Sequence, residues 1–129
     1  VITYIIDYLV RQQGLTMEEA SNVMAAPFWT TIAQQSPQRR ERLTFLRQAF
    51  SSLLLTGPFS ILVGFDGGLM ALNDRLKLRS MVVGEADSRV YISSEESAIR
   101  AIQPELDRVW APKGGEAAIF TVKEGALCR

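Results

Sequence analysis

The sequence predicts an α+β fold with a helical first half and a second half of antiparallel strands. Apolar residues recur at helical spacing through residues 1–56, and short apolar runs separated by turn residues fill residues 57–122. The two halves meet at Gly57-Pro58, a pair that ends a helix. Because 129 residues suffice for one core and hardly for two, we expect residues 1–129 to belong to one domain.

The helices of the first half have recognisable starts and stops. Five apolar residues of the first helix share one face: Ile2, Ile5, Ile6, Leu9 and Val10. Gly14 ends that helix. Thr16 is placed to cap the next helix while Glu19 reaches back to it, which is a capping box. Ser36 and Pro37 have the order of an N-cap followed by the first helical residue, so a further helix is predicted to begin there.

The second half alternates strands with turns. FSILVGF and LMALN flank residues 66–68, where two successive residues can take positive φ in a hairpin turn. SMVVGE and RVYISS form a second pair around ADS. Ser93 or Ser94 is then expected to cap a short helix, EESAIRAI, with Glu96 as the capping-box partner of Ser93. Two closing strands, DRVWAP and EAAIFTV, flank residues 113–115, so we expect an antiparallel meander with helices stacked on one face.

The composition excludes several classes of function. Lysine plus arginine equals aspartate plus glutamate, 14 each, which argues against a nucleic-acid or acidic-membrane partner. No apolar stretch reaches the roughly 18 residues that a membrane helix needs. The chain has no histidine, so it cannot build a Ser-His-Asp or Cys-His arrangement and lacks the commonest metal ligand.

The single cysteine and the first residue bear on where the protein works. One thiol, Cys128, cannot form an internal disulfide, so the chain fits a reducing compartment and we expect a cytoplasmic protein. No residue near Cys128 in the sequence supplies a base for a nucleophilic thiol. Val1 begins neither a signal peptide nor an open reading frame, so we expect an internal position of a longer chain or a processed start.

Glycine pairs and aromatic residues are the weaker candidates for binding. Gly67-Gly68 and Gly114-Gly115 lack the spaced glycines and the Lys-Ser/Thr of a phosphate loop, which indicates turn glycines. Phe28, Trp29 and Trp110 either line a ligand pocket or belong to the core or an interface, and their residue types favour the second interpretation.

The stretch ALNDRLKLRSMVVG places four charged residues within six positions, between two apolar runs. Two interpretations are open. Arg75 and Arg79 pair with carboxylates such as Asp74 or Glu95 in an ion-pair network, or one arginine binds a substrate.

Three segments in order support a more specific hypothesis. They are Gly57-Pro58-Phe59-Ser60, the run from Asp74 to Arg79, and Ser93-Ser94-Glu95. Their order and spacing resemble the later part of the class II glutamine amidotransferase domain, above all the glutaminase domain of glutamate synthase. The resemblance runs from the helical half to about Val122, and Ser80 stands where the family usually has proline.

The resemblance implies part of an αββα sandwich of the N-terminal-nucleophile type. In that family the first residue is a cysteine whose thiolate attacks the glutamine amide, with the α-amine of the chain as base. The nucleophile, the oxyanion-hole residues and the substrate-binding residues would precede Val1, so no catalytic residue is expected in this chain. The chain would then be the second half of the domain: a fragment, one piece of a split domain, or a degenerate relative.

The resemblance also implies roles and partners. Asp74, Arg75, Arg79, Ser94 and Glu95 would form a structural cluster that braces the sandwich near the pocket, without a metal. The parent enzyme would hydrolyse glutamine to glutamate and ammonia for glutamate synthesis from 2-oxoglutarate. Flavin and iron–sulfur centres are expected only in a partner synthase domain, and the partners are that synthase and the missing N-terminal half. The alternative is a non-catalytic interaction module with the same fold.

Overall fold

The computed structural model describes residues 1–122 and confirms the α+β prediction. The helical elements are α1 (Ile2–Asp7), a π-helical turn (Tyr8–Gln12), α2 (Met17–Met24), α3 (Trp29–Ala33), α4 (Pro37–Ala49) and a 3-10 turn (Ser51–Leu53). The later elements are β1 (Ser60–Phe65), β2 (Gly68–Asn73), β3 (Val82–Ala86), β4 (Arg89–Ser93), α5 (Glu96–Ile102), β5 (Arg108–Trp110) and β6 (Ala118–Thr121). No helix within residues 1–122 has both the length and the apolar content to cross a bilayer.

Local signals set the boundaries of the first helices as predicted. The Glu19 N–H donates to Thr16 Oγ1 at 3.1 Å and the Thr16 N–H donates to Glu19 Oε2 at 3.0 Å, so the capping box is confirmed. Gly14 takes a φ of 70°, the left-handed conformation that ends a helix at low steric cost. Ser36 precedes α4 as its N-cap with Pro37 at the first turn, although the Ser36 side chain makes no capping hydrogen bond.

The capping box predicted for α5 is wrong. Glu95 is the N-cap and its side chain makes no capping hydrogen bond. Ser93 is the last residue of β4, where it pairs with Val82, so it lies too early in the chain to cap the helix. Glu96 instead forms an ion pair with Arg100, one turn later in α5, at 2.6 Å.

The strands form two antiparallel sheets rather than one meander. The first has the order β1-β2-β6 and the second the order β4-β3-β5. The two closing strands therefore separate: Ile119 of β6 pairs with Met70, whereas Val109 of β5 pairs with Gly84. The single-meander expectation fails because the chain passes from one sheet to the other twice, between β2 and β3 and between β5 and β6.

The elements stack as helices, sheet, sheet and helix. The helical layer meets the first sheet through Ile6, Met24, Met70 and Leu72. The two sheets meet through Ala71, Met81, Val83 and Ala118. On the outer face of the second sheet, a Cβ built at Gly84 would lie 3.1 Å from Ile99 of α5 and 3.2 Å from Leu106. Alternate residues of β2 and β3 thus face different layers, as the twofold periodicity of a strand requires.

The two hairpins use different turns. At the β1–β2 turn only Gly67 takes a positive φ, whereas two successive positive values were expected there. That pattern occurs instead between β3 and β4, where Asp87 has a φ of 51° and Ser88 a φ of 61°. Two positive values in a two-residue loop correspond to a type I′ turn, whose twist matches that of the flanking strands.

Candidate functional site

The buried carboxylate of Asp74 is the centre of the charged stretch. Only 3% of the residue is exposed, and it follows directly on β2. Its Oδ2 accepts the N–H of Leu78 at 2.9 Å, and its Oδ1 accepts the N–H groups of Arg79 at 3.1 Å and Phe59 at 3.4 Å. One carboxylate therefore fixes both the loop after β2 and the residue that precedes β1.

These contacts determine the charge state of Asp74. Burial on its own raises the pKa of the carboxyl, but the backbone N–H groups of Leu78, Arg79 and Phe59 lower it by more. The net result is a pKa below the ordinary value of 3.8, so the group is ionised at neutral pH. A permanently ionised, fully engaged carboxylate suits an anchor of backbone geometry rather than a general acid.

The arginines of the stretch do not pair with Asp74. Within residues 1–122 no ion pair joins Asp74 to Arg75 or Arg79, so the predicted ion-pair network is absent there. Arg75 stacks on Phe28, with Cζ 4.8 Å from the ring centroid, and donates to the Ala26 carbonyl at 3.3 Å. Arg79 has an exposed side chain and contributes mainly through its backbone.

Ser94 and Glu95 make no bonds to the residues around Asp74 in the described part of the chain. Both are exposed at the start of α5, and Glu95 Oε2 accepts the hydroxyl of Ser97 at 2.9 Å. No hydrogen bond or ion pair of the described residues joins Ser94 or Glu95 to Asp74 or the two arginines. The structure thus brings Asp74, Arg75 and Arg79 together in one loop and does not connect Ser94 and Glu95 to it.

The sequence did not predict two features beside Asp74, a buried asparagine and a close approach of a glycine loop. Asn73 is fully buried; its Nδ2 donates to the Arg79 carbonyl at 3.3 Å, and its Oδ1 has no partner among residues 1–122. Its backbone carbonyl accepts the N–H of Gly115 at 3.1 Å. A Cβ at Gly114 would lie 2.6 Å from the Arg75 carbonyl oxygen, so this glycine allows a close approach of two backbones. In the sequence, these features are visible only as an asparagine at the end of an apolar run and as two consecutive glycines, Gly114 and Gly115, about 40 residues later.

The aromatic residues divide between surface and core. Phe28 and Trp29 are partly exposed, and each lines a surface groove and carries a stacked arginine. Arg47 is the arginine on Trp29, 4.3 Å from the ring centroid, and it donates to the Pro27 carbonyl. Trp110 packs between the two sheets and donates from Nε1 to a carboxylate oxygen of Glu85 at 2.8 Å. Trp110 is thus partly buried against the core, although it also carries a stacked arginine, Arg108, at 5.2 Å, whereas Phe28 and Trp29 lie at the surface.

Neither the thiol of Cys128 nor a metal centre adds to the site among the described residues. Cys128 falls beyond residues 1–122, so the structure does not bear on its role. Among residues 1–122, no three histidine, cysteine, aspartate or glutamate side chains converge as metal ligands would.

Two known proteins are similar to the chain. An uncharacterized protein of Archaeoglobus fulgidus is 41% identical over 123 residues, which cover 95% of this chain and 32% of that protein. An amidophosphoribosyltransferase of Methanocaldococcus jannaschii is 32% identical over 73 residues, which cover 57% of this chain and 15% of the enzyme. The chain thus matches a third or less of the length of these relatives. No protein-family profile and no solved structure matches it.

The second relative is informative because it has a named activity. An amidophosphoribosyltransferase is a class II glutamine amidotransferase, so the 73-residue match supports a distant relationship between this chain and that class.

Proposed function

We propose that this chain is the later part of a glutaminase domain that hydrolyses glutamine to glutamate and ammonia for glutamate synthesis. The observation that carries the proposal is the distant relationship to a class II glutamine amidotransferase. The buried Asp74 with its three backbone hydrogen bonds gives the Asp-Arg motif a structural role. The stack of helices, two sheets and a helix is the layering that the resemblance implies.

The proposed chemistry belongs to residues that precede Val1. A cysteine thiolate adds to the glutamine amide carbon, ammonia leaves with a proton returned by the α-amine, and water hydrolyses the resulting thioester to glutamate. This chain contributes strands, covering helices and the Asp74 loop. In support, β1 is an edge strand among the described strands, which leaves one side where a further strand would pair. Its Ser60, Leu62 and Gly64 are exposed on one face, where a further layer would cover them.

The acceptor of the ammonia follows from the motif resemblance. The Asp-Arg and Ser-Ser-Glu segments favour the glutamate synthase branch, in which 2-oxoglutarate receives ammonia in a partner domain with flavin and iron–sulfur centres. Those groups would lie in the synthase, and none is assigned to this chain.

A non-catalytic interaction module is the second candidate. Residues 1–122 contain no cysteine or histidine that could act on an amide, which both candidates allow. Such a module would keep the layered core and bind a partner subunit without turning over glutamine.

One labelling experiment separates the two candidates. The complete natural polypeptide that carries these residues is incubated with a diazoketone analogue of glutamine and analysed by mass spectrometry. A glutaminase is alkylated once, on a cysteine that precedes Val1 of this chain, and excess glutamine prevents the reaction. No labelling, or labelling that glutamine does not prevent, would favour the non-catalytic module.

A further inference from the structure

A polar groove lies between the helical layer and the loop that joins β5 to β6. It has a volume of about 450 Å³. Its lining includes the polar side chains of Asn22, Thr31, Gln35, Arg75, Lys113 and Glu116. Phe28 forms an apolar part of the wall. Several convergent polar groups beside an aromatic wall are typical of a small-molecule site.

The groove carries an excess of positive charge. Three cationic residues line it, Arg39, Arg75 and Lys113, against one carboxylate, that of Glu116. Arg39 is neutralised by Glu18 at 3.0 Å. In the part of the chain that the structure describes, neither Arg75 nor Lys113 forms an ion pair. Two cations therefore remain against a single acid.

Arg75 is held in place but not neutralised. Its half-buried guanidinium donates to the Ala26 carbonyl at 3.3 Å and stacks on Phe28. A guanidinium has five N–H donors, so most of them have no acceptor among residues 1–122. Burial lowers the pKa of Arg47, and the nearby charge of Arg75 lowers it further.

The loop that carries Lys113 is fixed against Arg75. A Cβ at Gly114 would lie 2.6 Å from the Arg75 carbonyl oxygen, and the Gly115 N–H donates to the Asn73 carbonyl at 3.1 Å. Lys113 precedes this pair directly. The fold thus places an ammonium and a guanidinium on one groove, although repulsion between like charges opposes that arrangement.

We propose that this groove binds a small molecule through an oxyanion, either a carboxylate or a phosphate. Arg75 supplies the planar fork that pairs with two oxygens at once, and Lys113 supplies a point charge. The amides of Asn22 and Gln35 supply neutral donors to the remaining oxygens. The proposal concerns a site outside the expected catalytic residues and stands whether or not the protein hydrolyses glutamine.

Calorimetric titration of the complete natural polypeptide tests the proposal. Inorganic phosphate and succinate are titrated separately at constant ionic strength, with chloride as the reference anion. We expect saturable one-site binding of phosphate or succinate, and the anion that binds identifies the chemistry. Lys113→Gln and Arg75→Gln should each weaken binding about tenfold or more, because each removes one charge from the site. Arg100→Gln, an exposed residue paired with Glu96 on α5, should leave it unchanged.

Arg75 also donates a hydrogen bond to the Ala26 carbonyl and stacks on Phe28. Because its replacement removes both contacts, the variant can unfold. Lys113→Gln and Gln35→Ala keep the test decisive in that case. The Lys113 side chain makes no hydrogen bond among the described residues, and the Gln35 amide donates only to the Thr31 carbonyl, at 3.3 Å. Absence of saturable binding by both anions would overturn the proposal. Equal affinities in Lys113→Gln and Arg100→Gln would overturn it as well, because the binding would then lie elsewhere.

Discussion

Asp74 shows how one side chain can organise two segments of the molecule. It receives backbone N–H groups from the residue before β1 and from two residues of the loop after β2. Both carboxylate oxygens accept hydrogen bonds. This suits the ionised form, which has acceptors only, whereas the protonated form also carries an O–H donor. Asp74 of the Asp-Arg motif thus fixes the local backbone. Because Arg75 does not pair with it, the guanidinium contacts Phe28 and lines the groove beside it.

Asp74→Asn should lower the free energy of unfolding at pH 7 by about 2 kcal/mol, since hydrogen bonds to a charged group contribute about 1.5–3 kcal/mol. The amide would present an N–H₂ group to a backbone N–H, so one donor loses its acceptor. Urea unfolding measures the change. Asp7→Asn, at an exposed residue paired with Arg11, is the matched control and should change stability by less than about 0.5 kcal/mol.

The same substitution predicts a dependence on pH. Because the folded pKa of Asp74 lies below its unfolded value, its contribution is complete above the unfolded pKa and is lost as pH falls through the folded pKa. The difference in stability between the wild type and Asp74→Asn should therefore be constant near neutrality and shrink below about pH 4. A difference that stays the same down to pH 3 would contradict the assigned role.

At the scale of helices and strands, features that depend on neighbouring residues could be predicted from the sequence, and features that depend on distant residues could not. The box of Thr16 and Glu19 could be predicted because its partners are three residues apart and no competing structure uses Thr16. Ser93 carries a similar signal, but pairing with Val82 keeps it in β4. The separation of β5 and β6 into two sheets depends on partners tens of residues away, and their apolar patterns are alike. The groove and the buried Asn73 likewise depend on contacts between distant segments.

The type I′ turn between β3 and β4 gives a test of element geometry. Asp87 and Ser88 both take positive φ, which is costly for residues with a side chain. Ser88→Gly should raise the free energy of unfolding by roughly 0.5–1 kcal/mol in a thermal or urea experiment. Ser60→Gly, in β1 without positive φ, should lower it instead, because glycine weakens a strand. Destabilisation by Ser88→Gly would show that the turn has another geometry.

The contact between the Gly114 loop and Arg75 gives a second test at this scale. Gly114→Ala should lower the free energy of unfolding by about 2–4 kcal/mol, because the added methyl group meets backbone atoms that cannot move aside easily. Gly64→Ala is the control, since a Cβ there has no neighbour within 4 Å. Equal effects of the two substitutions, measured by urea unfolding, would be inconsistent with the close approach.

The described molecule is a layered core whose first sheet has β1, a strand paired on one side only, at one edge. β1 pairs only with β2 among the described strands, and Leu62 in its middle is 55% exposed. We expect residues 1–129, prepared alone, to self-associate through this edge, as unpaired strands do. Leu62→Lys should reduce the association seen by light scattering, whereas Ile102→Lys, at a 76% exposed residue of α5, should not. A monodisperse monomer of the unaltered chain would contradict this expectation.

We propose that these residues form the later part of a glutaminase whose nucleophile precedes them. The most direct test measures ammonia released from glutamine by the complete natural polypeptide and, separately, by residues 1–129 alone. We expect sustained release by the complete polypeptide and none by the 129-residue chain. Release by the shorter chain would contradict the location of the nucleophile, and no release by the complete polypeptide, with or without its synthase partner, would contradict the glutaminase assignment.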